Sequence, residues 1–202
     1  MRKDDMKTET ENTEKVPVIK EVLEYVRLIA IVIGATLLIE IFVIVNAVIP
    51  SASMEPTIMT GDHIFGNRLA YSFSDPERYD IIIFRYPDDE SQLFIKRIIG
   101  LPGDKVEFRD GDVYINDSPL PLNDEFCSVQ SQTKLDPNRT SLDNPFYVPD
   151  GCYFVMGDNR LNSKDSRYWK NPFVKRDKIL GEAVFRYWPL NKISVIHRYA
   201  EP

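Results

Sequence analysis

The chain has 202 residues, of which 43% are hydrophobic and 28% charged, enough for one compact domain plus an appendage and too apolar for a disordered polymer. A net charge of -6 and a pI near 5.1 argue against a nucleic-acid binder, whose domains carry a basic stripe. Two cysteines without CxxC spacing, Cys127 and Cys152, and two histidines, His63 and His197, argue against a zinc cage, so the expected chemistry uses neither metal nor cofactor.

The N-terminal stretch MRKDDMKTETENTEKVPVIK is charged and short of aromatic residues, and cannot bury enough surface to offset the entropy of ordering. A flexible cytoplasmic tail is expected over residues 1–25. An apolar run of 22 residues then extends from Leu28 to Ile49, broken by one ionisable group, Glu40, and matches the length that a hydrocarbon core of about 30 Å requires. Residues 26–49 therefore read as a transmembrane signal anchor. Glu40 is tolerable there as a protonated or snorkelling carboxyl, the alternative being a functional or oligomer contact. Six cationic residues precede the run (Arg2, Lys3, Lys7, Lys15, Lys20, Arg27) and none follows it before Arg68, which puts the tail inside and the body on the outer face. A cleaved signal peptide is the competing reading. Val45-Asn46-Ala47 would serve as its cleavage site, but the run exceeds the roughly 7 to 15 apolar residues of such peptides.

Beyond Pro50 the pattern changes to short β-rich runs between Gly, Pro and Asp: Asp80 to Phe84, Leu93 to Ile99, Lys105 to Phe108, Val113 to Asn116, Tyr153 to Met156, Leu180 to Tyr187, and Lys192 to Arg198. Residues 50–202 are thus expected to form a mostly antiparallel β domain. Turns fall at Leu101-Pro-Gly-Asp104, Arg109-Asp-Gly-Asp112 and Pro149-Asp-Gly151, and the polar, Pro-rich residues 117–149 read as a loop insertion.

Directly after the apolar run comes Ile49-Pro-Ser-Ala-Ser-Met-Glu-Pro-Thr57, which alone is a capped turn. Three further segments change its meaning: Glu77-Arg-Tyr-Asp-Ile-Ile-Ile-Phe84, Ile95-Lys-Arg-Ile-Ile-Gly-Leu-Pro-Gly-Asp104 and Met156-Gly-Asp-Asn-Arg-Leu-Asn-Ser-Lys-Asp-Ser-Arg167. In this order behind an N-terminal anchor, the four segments resemble the bacterial type I signal peptidases (leader peptidases), which remove signal peptides from exported preproteins. The resemblance covers most of residues 25 to 188. Ala52 stands where that family usually has Gly between the two serines, and Tyr79 where it often has Gly before Asp.

The resemblance implies a mostly β chain with the antiparallel signal-peptidase/repressor-type Ser-Lys protease fold. It implies Ser53 as nucleophile, Lys96 as general base, and an oxyanion hole from the Ser53 backbone N–H and the Ser51 hydroxyl. It implies Ser163 as the group that orients the base, with Asp165 and Arg167 as a supporting ion pair and Gly157, Asp158 and Asn159 as a tight turn shaping the site. For substrate binding it implies Ile49, Ile58, Phe94 and Ile95 as walls of shallow pockets for small side chains, with Met54 packed beside the nucleophile. Its partners would be preprotein signal peptides of Ala-x-Ala type and the lipid bilayer, with the export machinery as a further one. A membrane-bound single-pass enzyme is the corresponding location.

That chemistry sets a condition. A Lys with a pKa of about 10.4 is neutral roughly once in 2,500 at pH 7, so the site must lower the value by several units. In a strand, Lys96 shares its face with Phe94 and Ile98 while Arg97 points the other way, which would surround the ammonium with hydrocarbon. Three features stay open on the sequence. Tyr187, Trp188 and Pro189 would either dip into the lipid interface or end a core strand. Cys127 and Cys152 would either pair or remain thiols. A Ser-His-Asp hydrolase using Ser53 with His63, Asp62 or His197 is the rival enzyme, and a non-catalytic peptide-binding relative the rival of another class. Conjugation- or phage-type processing peptidases share the dyad, as do self-cleaving repressors, which carry a DNA-binding head instead of an anchor.

Overall fold

The computed structural model describes residues 18–127 and 145–197, and the expected tail and much of the expected loop insertion lie outside the described residues. The chain divides into two compact units, Met1–Ile39 and Glu40–Pro202.

Helix α1 spans Val18–Phe42, and within it Ile19–Phe42 is long and apolar enough to cross a membrane, with mean hydropathy 2.2. Its first turns carry Lys20, Glu21, Glu24 and Arg27, but from Leu28 to Phe42 Glu40 is its one ionisable residue, and Ile29, Ile33, Leu37 and Ile41 are all exposed, an apolar surface that water does not tolerate at that length. The boundaries of the expected tail and anchor need correction. The helix begins within residues 1–25 and ends seven residues short of Ile49. Ile44–Val48 instead forms β1, the edge strand of the larger sheet. Hydropathy does not distinguish a buried strand from the end of a helix when one apolar run contains both. The local signals favoured the strand: β-branched residues crowd positions 43–45, and burial alternates from buried Val45 to exposed Asn46.

The second unit is built on an antiparallel sheet in the order β1-β2-β10-β3-β4-β8-β9, with β11 paired to β10. The strands are β2 His63–Asn67, β3 Ile81–Tyr86, β4 Asp89–Gly100, β8 Cys152–Met156, β9 Phe173–Lys175, β10 Ile179–Trp188 and β11 Ser194–Val195. A smaller sheet joins β5 Lys105–Arg109 between β6 Asp112–Ile115 and β7 Phe146–Tyr147. Gly103, Gly111 and Gly151 take φ of 85°, 97° and 65° in the three expected turns, a region that residues with a Cβ rarely enter.

β3 and β4 lie in the middle of the sheet and are covered on both faces, so β3 reads as a run of isoleucines. Ile81, Ile83 and Ile95 face one core with Val45, Ile49, Met54, Ile58 and Ile64. Ile82, Phe84 and Ile98 face the other with Tyr153, Val155, Trp169 and Val174. Lys96 is paired across the ladder with Ile82 and so belongs by register to that second, apolar face. β1, β2, β7 and β9 were not legible as strands in the sequence. The expected Lys192–Arg198 strand is a one-turn 3-10 helix at Leu190–Lys192 followed by the two-residue β11, and Arg198 lies outside the described residues.

Candidate active site

Ser53 sits in a single 3-10 turn, Ala52–Met54. The turn is pinned from below: Met54 and Ile58 are completely buried in the first core, and Ile58 N–H donates to the Met54 carbonyl at 3.0 Å. On the preceding side, Ile49 N–H donates to Asp62 O at 2.9 Å and Gly61 N–H to Ile49 O at 2.8 Å. Nucleophile and core thus share one short segment, so the hydroxyl is held by packing and not by a flexible loop.

From β4, the Lys96 ammonium reaches Ser53. Its Nζ donates to Ser53 Oγ at 2.6 Å and to Ile95 O at 2.9 Å, and lies 5.7 Å from the centre of the Phe94 ring. Only 4% of Lys96 is exposed. Burial lowers its pKa to about 8; the Asp165 and Asp158 carboxylates oppose the shift, and Arg167 adds to it. At pH 7 roughly one lysine in ten is then neutral, against about one in 3,000 for an exposed lysine.

Two buried ion pairs stand behind this dyad. Arg167 donates to both oxygens of Asp165, Nε to Oδ1 and Nη2 to Oδ2, each at 2.8 Å. Burial alone would raise the pKa of Asp165, but the Arg167 charge, its hydrogen bonds and the Gly157 N–H, which donates to Oδ2 at 3.0 Å, hold it below the usual carboxylate range. The second pair escaped sequence reasoning: Arg97, next to the base but on the opposite face of β4, donates to Asp158 at 2.8 and 2.6 Å and to Tyr79 O at 2.8 Å. Thr57 Oγ1 also donates to Asp158. From the same turn Asn159 reaches the nucleophile segment, its backbone N–H donating to Ser53 O and its Nδ2 to Ala52 O, both at 3.1 Å. The Gly157-Asp158-Asn159 turn therefore straps β4 to the serine, and a Cβ on Gly157 would collide with Ser53 O and Ser163 Oγ.

Both departures from the family pattern have an explanation. Ala52 is not among the described non-glycine residues with positive φ, so its methyl group is harmless, whereas Tyr79 has φ 72°, the conformation for which glycine is suited. The Tyr79 side chain is buried and meets Phe126 edge to face, 5.7 Å between ring centres, while Phe126 also covers the Arg97 guanidinium at 4.2 Å.

Not every expected role is occupied. Ser163 is buried beside the dyad, yet its Oγ reaches hydrogen-bond geometry to no partner, Lys96 included. Ser51 Oγ is 3.3 Å from Ser53 Oγ and exposed at the mouth of the site. A cavity of about 360 Å³ opens onto the dyad, lined by Pro50, Ser51, Leu93, Phe94 and Ile95 and by residues 161–164. A second, of about 210 Å³, is lined by residues 46–50, at and just beyond the end of β1, by Ile83 of β3 and by residues 93–95 of β4. Ile49, Phe94 and Ile95 line one or both. Met54 and Ile58 line neither, because full burial in the core leaves them no surface to offer a substrate.

The rival triad lacks its geometry. Asp62 accepts from Arg186 at 2.8 Å, and His63 Nδ1 faces Tyr187 Oη at 3.4 Å; the hydrogen-bond partners of Ser53 Oγ are Lys96 and Ser51. Cys127 and Cys152 are both free thiols, and the Cys127 pKa is pushed up to about 12 by burial, so it is inert as a nucleophile. Among the described residues no cluster of His, Cys, Asp and Glu could hold a metal ion.

The chain is similar to several known proteins. Residues 22–188 match the family model described as signal peptidase, peptidase S26. A probable signal peptidase I-2 of Synechocystis is 39% identical over 168 residues, covering 81% of this chain and 72% of that one. Signal peptidase I of Bacillus caldolyticus is 36% identical over 172 residues, covering 82% and 90%. A crystallised signal peptidase I from Enterococcus faecalis is 38% identical, with a TM-score of 0.42, and covers 54% of this chain and 97% of that one. With the match spanning both the Ser53 turn and the segment that ends at Arg167, this chain belongs to the signal peptidase family, peptidase S26, and is a serine peptidase.

Proposed function

We propose that this chain is a membrane-bound endopeptidase that removes N-terminal signal peptides from exported preproteins, cutting after small residues by a Ser53-Lys96 acyl-enzyme mechanism. The observation that carries the reading is the 2.6 Å contact between Ser53 Oγ and a buried Lys96 whose pKa is lowered to about 8. Once neutral, the Lys96 amine has a lone pair aimed at the serine, and the Ser53 hydroxyl donates its proton to Nζ as Oγ attacks the scissile carbonyl. The Ser53 backbone N–H and the Ser51 hydroxyl stabilise the developing oxyanion. Lys96 then passes the proton to the leaving amine, the mature protein departs, and a water activated by the same amine releases the signal peptide from Ser53.

The cavity beside the dyad has the scale of a small side chain with part of an extended backbone, and the neighbouring one adjoins it, sharing Pro50, Leu93, Phe94 and Ile95, which suits small residues at the first and third positions before the cut. In this reading residues 26–49 are corrected to an anchor over Ile19–Phe42, with the catalytic unit beginning near β1 and lying on the outer face, and residues 1–17 cytoplasmic. Half-exposed Trp188 with Leu190, Ile193 and Val195 forms an apolar edge that supports contact with the bilayer surface. Cleavage of a preprotein by the wild type, Ser53→Ala and Lys96→Ala in lipid tests the proposal. Both substitutions abolish cleavage if it holds, and intact activity in either refutes it.

A further inference from the structure

The cavity beside Lys96 has two walls from distant parts of the chain, Phe94 on β4 and residues 161–164 of the loop after β8, and one side chain that lines neither is tied to both. Trp169, 1% exposed, donates from Nε1 to the carbonyl of Lys164 at 3.1 Å. Its ring packs edge-on against Phe94 and Tyr86, with centres 5.9 and 5.1 Å away. Phe94 in turn is stacked on Tyr86, 4.5 Å between centres and 3° between planes. The Tyr86 hydroxyl donates to Asp88 at 3.0 Å, and the same carboxylate accepts from the backbone N–H groups of Lys170 and Asn171 at 2.9 Å and from Asn171 Nδ2 at 2.7 Å. The chain of contacts thus closes on itself through Phe94, Tyr86, Asp88, residues 170–171 and Trp169, and from Trp169 it branches to Lys164.

A closed brace of this kind fixes a separation. The Phe94 wall cannot move outward without breaking ring packing with Trp169 and Tyr86, nor the 161–164 wall without breaking the indole hydrogen bond. We propose that Trp169 is a specificity-determining positioning residue, holding the two walls close enough that the cavity accepts only small side chains before the cut. The inference rests on the proposed peptidase reading and concerns the substrate class of that site. Phe94 is the brace member nearest the base, its ring centre 5.7 Å from Lys96 Nζ, while Trp169, Tyr86 and Asp88 hydrogen-bond to neither Ser53 nor Lys96, so loosening the brace alters which peptides are cut more than how the bond is broken.

Trp169→Phe keeps an aromatic ring against Phe94 and removes the Nε1–H donor. The full-length chain in lipid vesicles is assayed on matched preproteins carrying Ala, Val or Leu at the position before the cut, with Ser53→Ala as control. One lost buried hydrogen bond corresponds to about a fivefold to tenfold change in discrimination. The kcat/KM ratio of Ala over Leu is expected to fall by that factor in Trp169→Phe. Asp88→Asn, which weakens the same brace from the surface, is expected to move the ratio in the same direction by less, and carries the test if Trp169→Phe does not fold. A wild-type ratio in either folded variant overturns the brace. A wild type that cuts no preprotein, or an active Ser53→Ala, overturns the underlying reading instead, so the two failures are distinguishable.

Discussion

Lys96→Met turns the proposed mechanism into a stability measurement. The folded-state pKa of Lys96 is about 8, below the 10.5 of the free side chain, so the folded state binds its proton less tightly than the unfolded state does. A depressed lysine pKa is a penalty that is fully present below about pH 8 and fades as the pH rises toward 10.5, because the unfolded chain then loses its extra proton as well. The gap corresponds to about 3 kcal/mol at pH 7 and about 1 kcal/mol at pH 9.5. Methionine has similar reach and no charge, and removes that penalty along with two hydrogen bonds, to Ser53 Oγ and Ile95 O, worth about 1 kcal/mol each. The variant should therefore be more stable than the wild type by about 1 kcal/mol at pH 7 and lose that advantage by pH 9.5. Urea unfolding of the full chain in detergent, followed by tryptophan fluorescence at intervals between the two, measures the difference. A stability gap between variant and wild type that stays flat, or widens with pH, would mean that Lys96 is not desolvated in the folded state and would remove the basis for its role as base.

Other outcomes follow from the same geometry. The kcat/KM of the wild type should rise through about pH 8 as Lys96 loses its proton, and a pH–rate profile with no rise there would contradict the assignment. Ser51→Ala should lower kcat by about a hundredfold or more with little change in KM or in that pH limb, as for loss of one oxyanion donor; an unchanged kcat would strike Ser51 from the site. Gly157→Ala should abolish cleavage in a chain that still folds, since the added methyl group meets Ser53 O and Ser163 Oγ, and circular dichroism with a cleavage assay separates the two effects. Tyr79→Gly relieves a positive φ costing about 1–2 kcal/mol but deletes a buried ring worth about 3–5 kcal/mol, so thermal unfolding should show a net loss. A gain in stability there would mean that backbone strain outweighs packing at Tyr79.

How much of this was legible in the sequence depends on how local the cause was. Turns at Gly103, Gly111 and Gly151 are set by a few adjacent residues, and each falls where Gly and Asp punctuation put it. The two faces of β4 were also readable, because a period of two decides that Lys96 joins Phe94 and Ile98 while Arg97 leaves. The start of β1 was not, since Ile44–Val48 continues an apolar run and its strand character comes from pairing with β2, whose His63-Ile-Phe-Gly-Asn67 carries little strand signal of its own. Met54 and Ile58 show the same limit from the other side. Their resemblance to substrate-contacting positions gave no account of depth, and depth is fixed by the whole first core closing over the Ser53 turn.

The base makes the point most sharply. What lowers the pKa of Lys96 is a shell assembled from β3, β4 and the turn at residues 157–167, elements far apart in the chain. Inside that shell the sequence places two carboxylates, Asp158 and Asp165, whose charges would return the lysine to its protonated form. Both are matched by buried arginines, Arg97 and Arg167, each bidentate on its carboxylate. Such pairs contribute little net stability once desolvation is counted. Here they have a different effect: each carboxylate orders a backbone segment at the site, while the arginine screens its charge from an amine that has to stay neutral. Arg97→Met is therefore expected both to destabilise the fold by about 3–5 kcal/mol, by leaving the Asp158 carboxylate buried and unmatched, and to push the rising limb of kcat/KM to higher pH. A variant that is destabilised but keeps the wild-type pH limb would show that Arg97 serves the fold alone, and that desolvation without charge screening is enough to hold Lys96 uncharged.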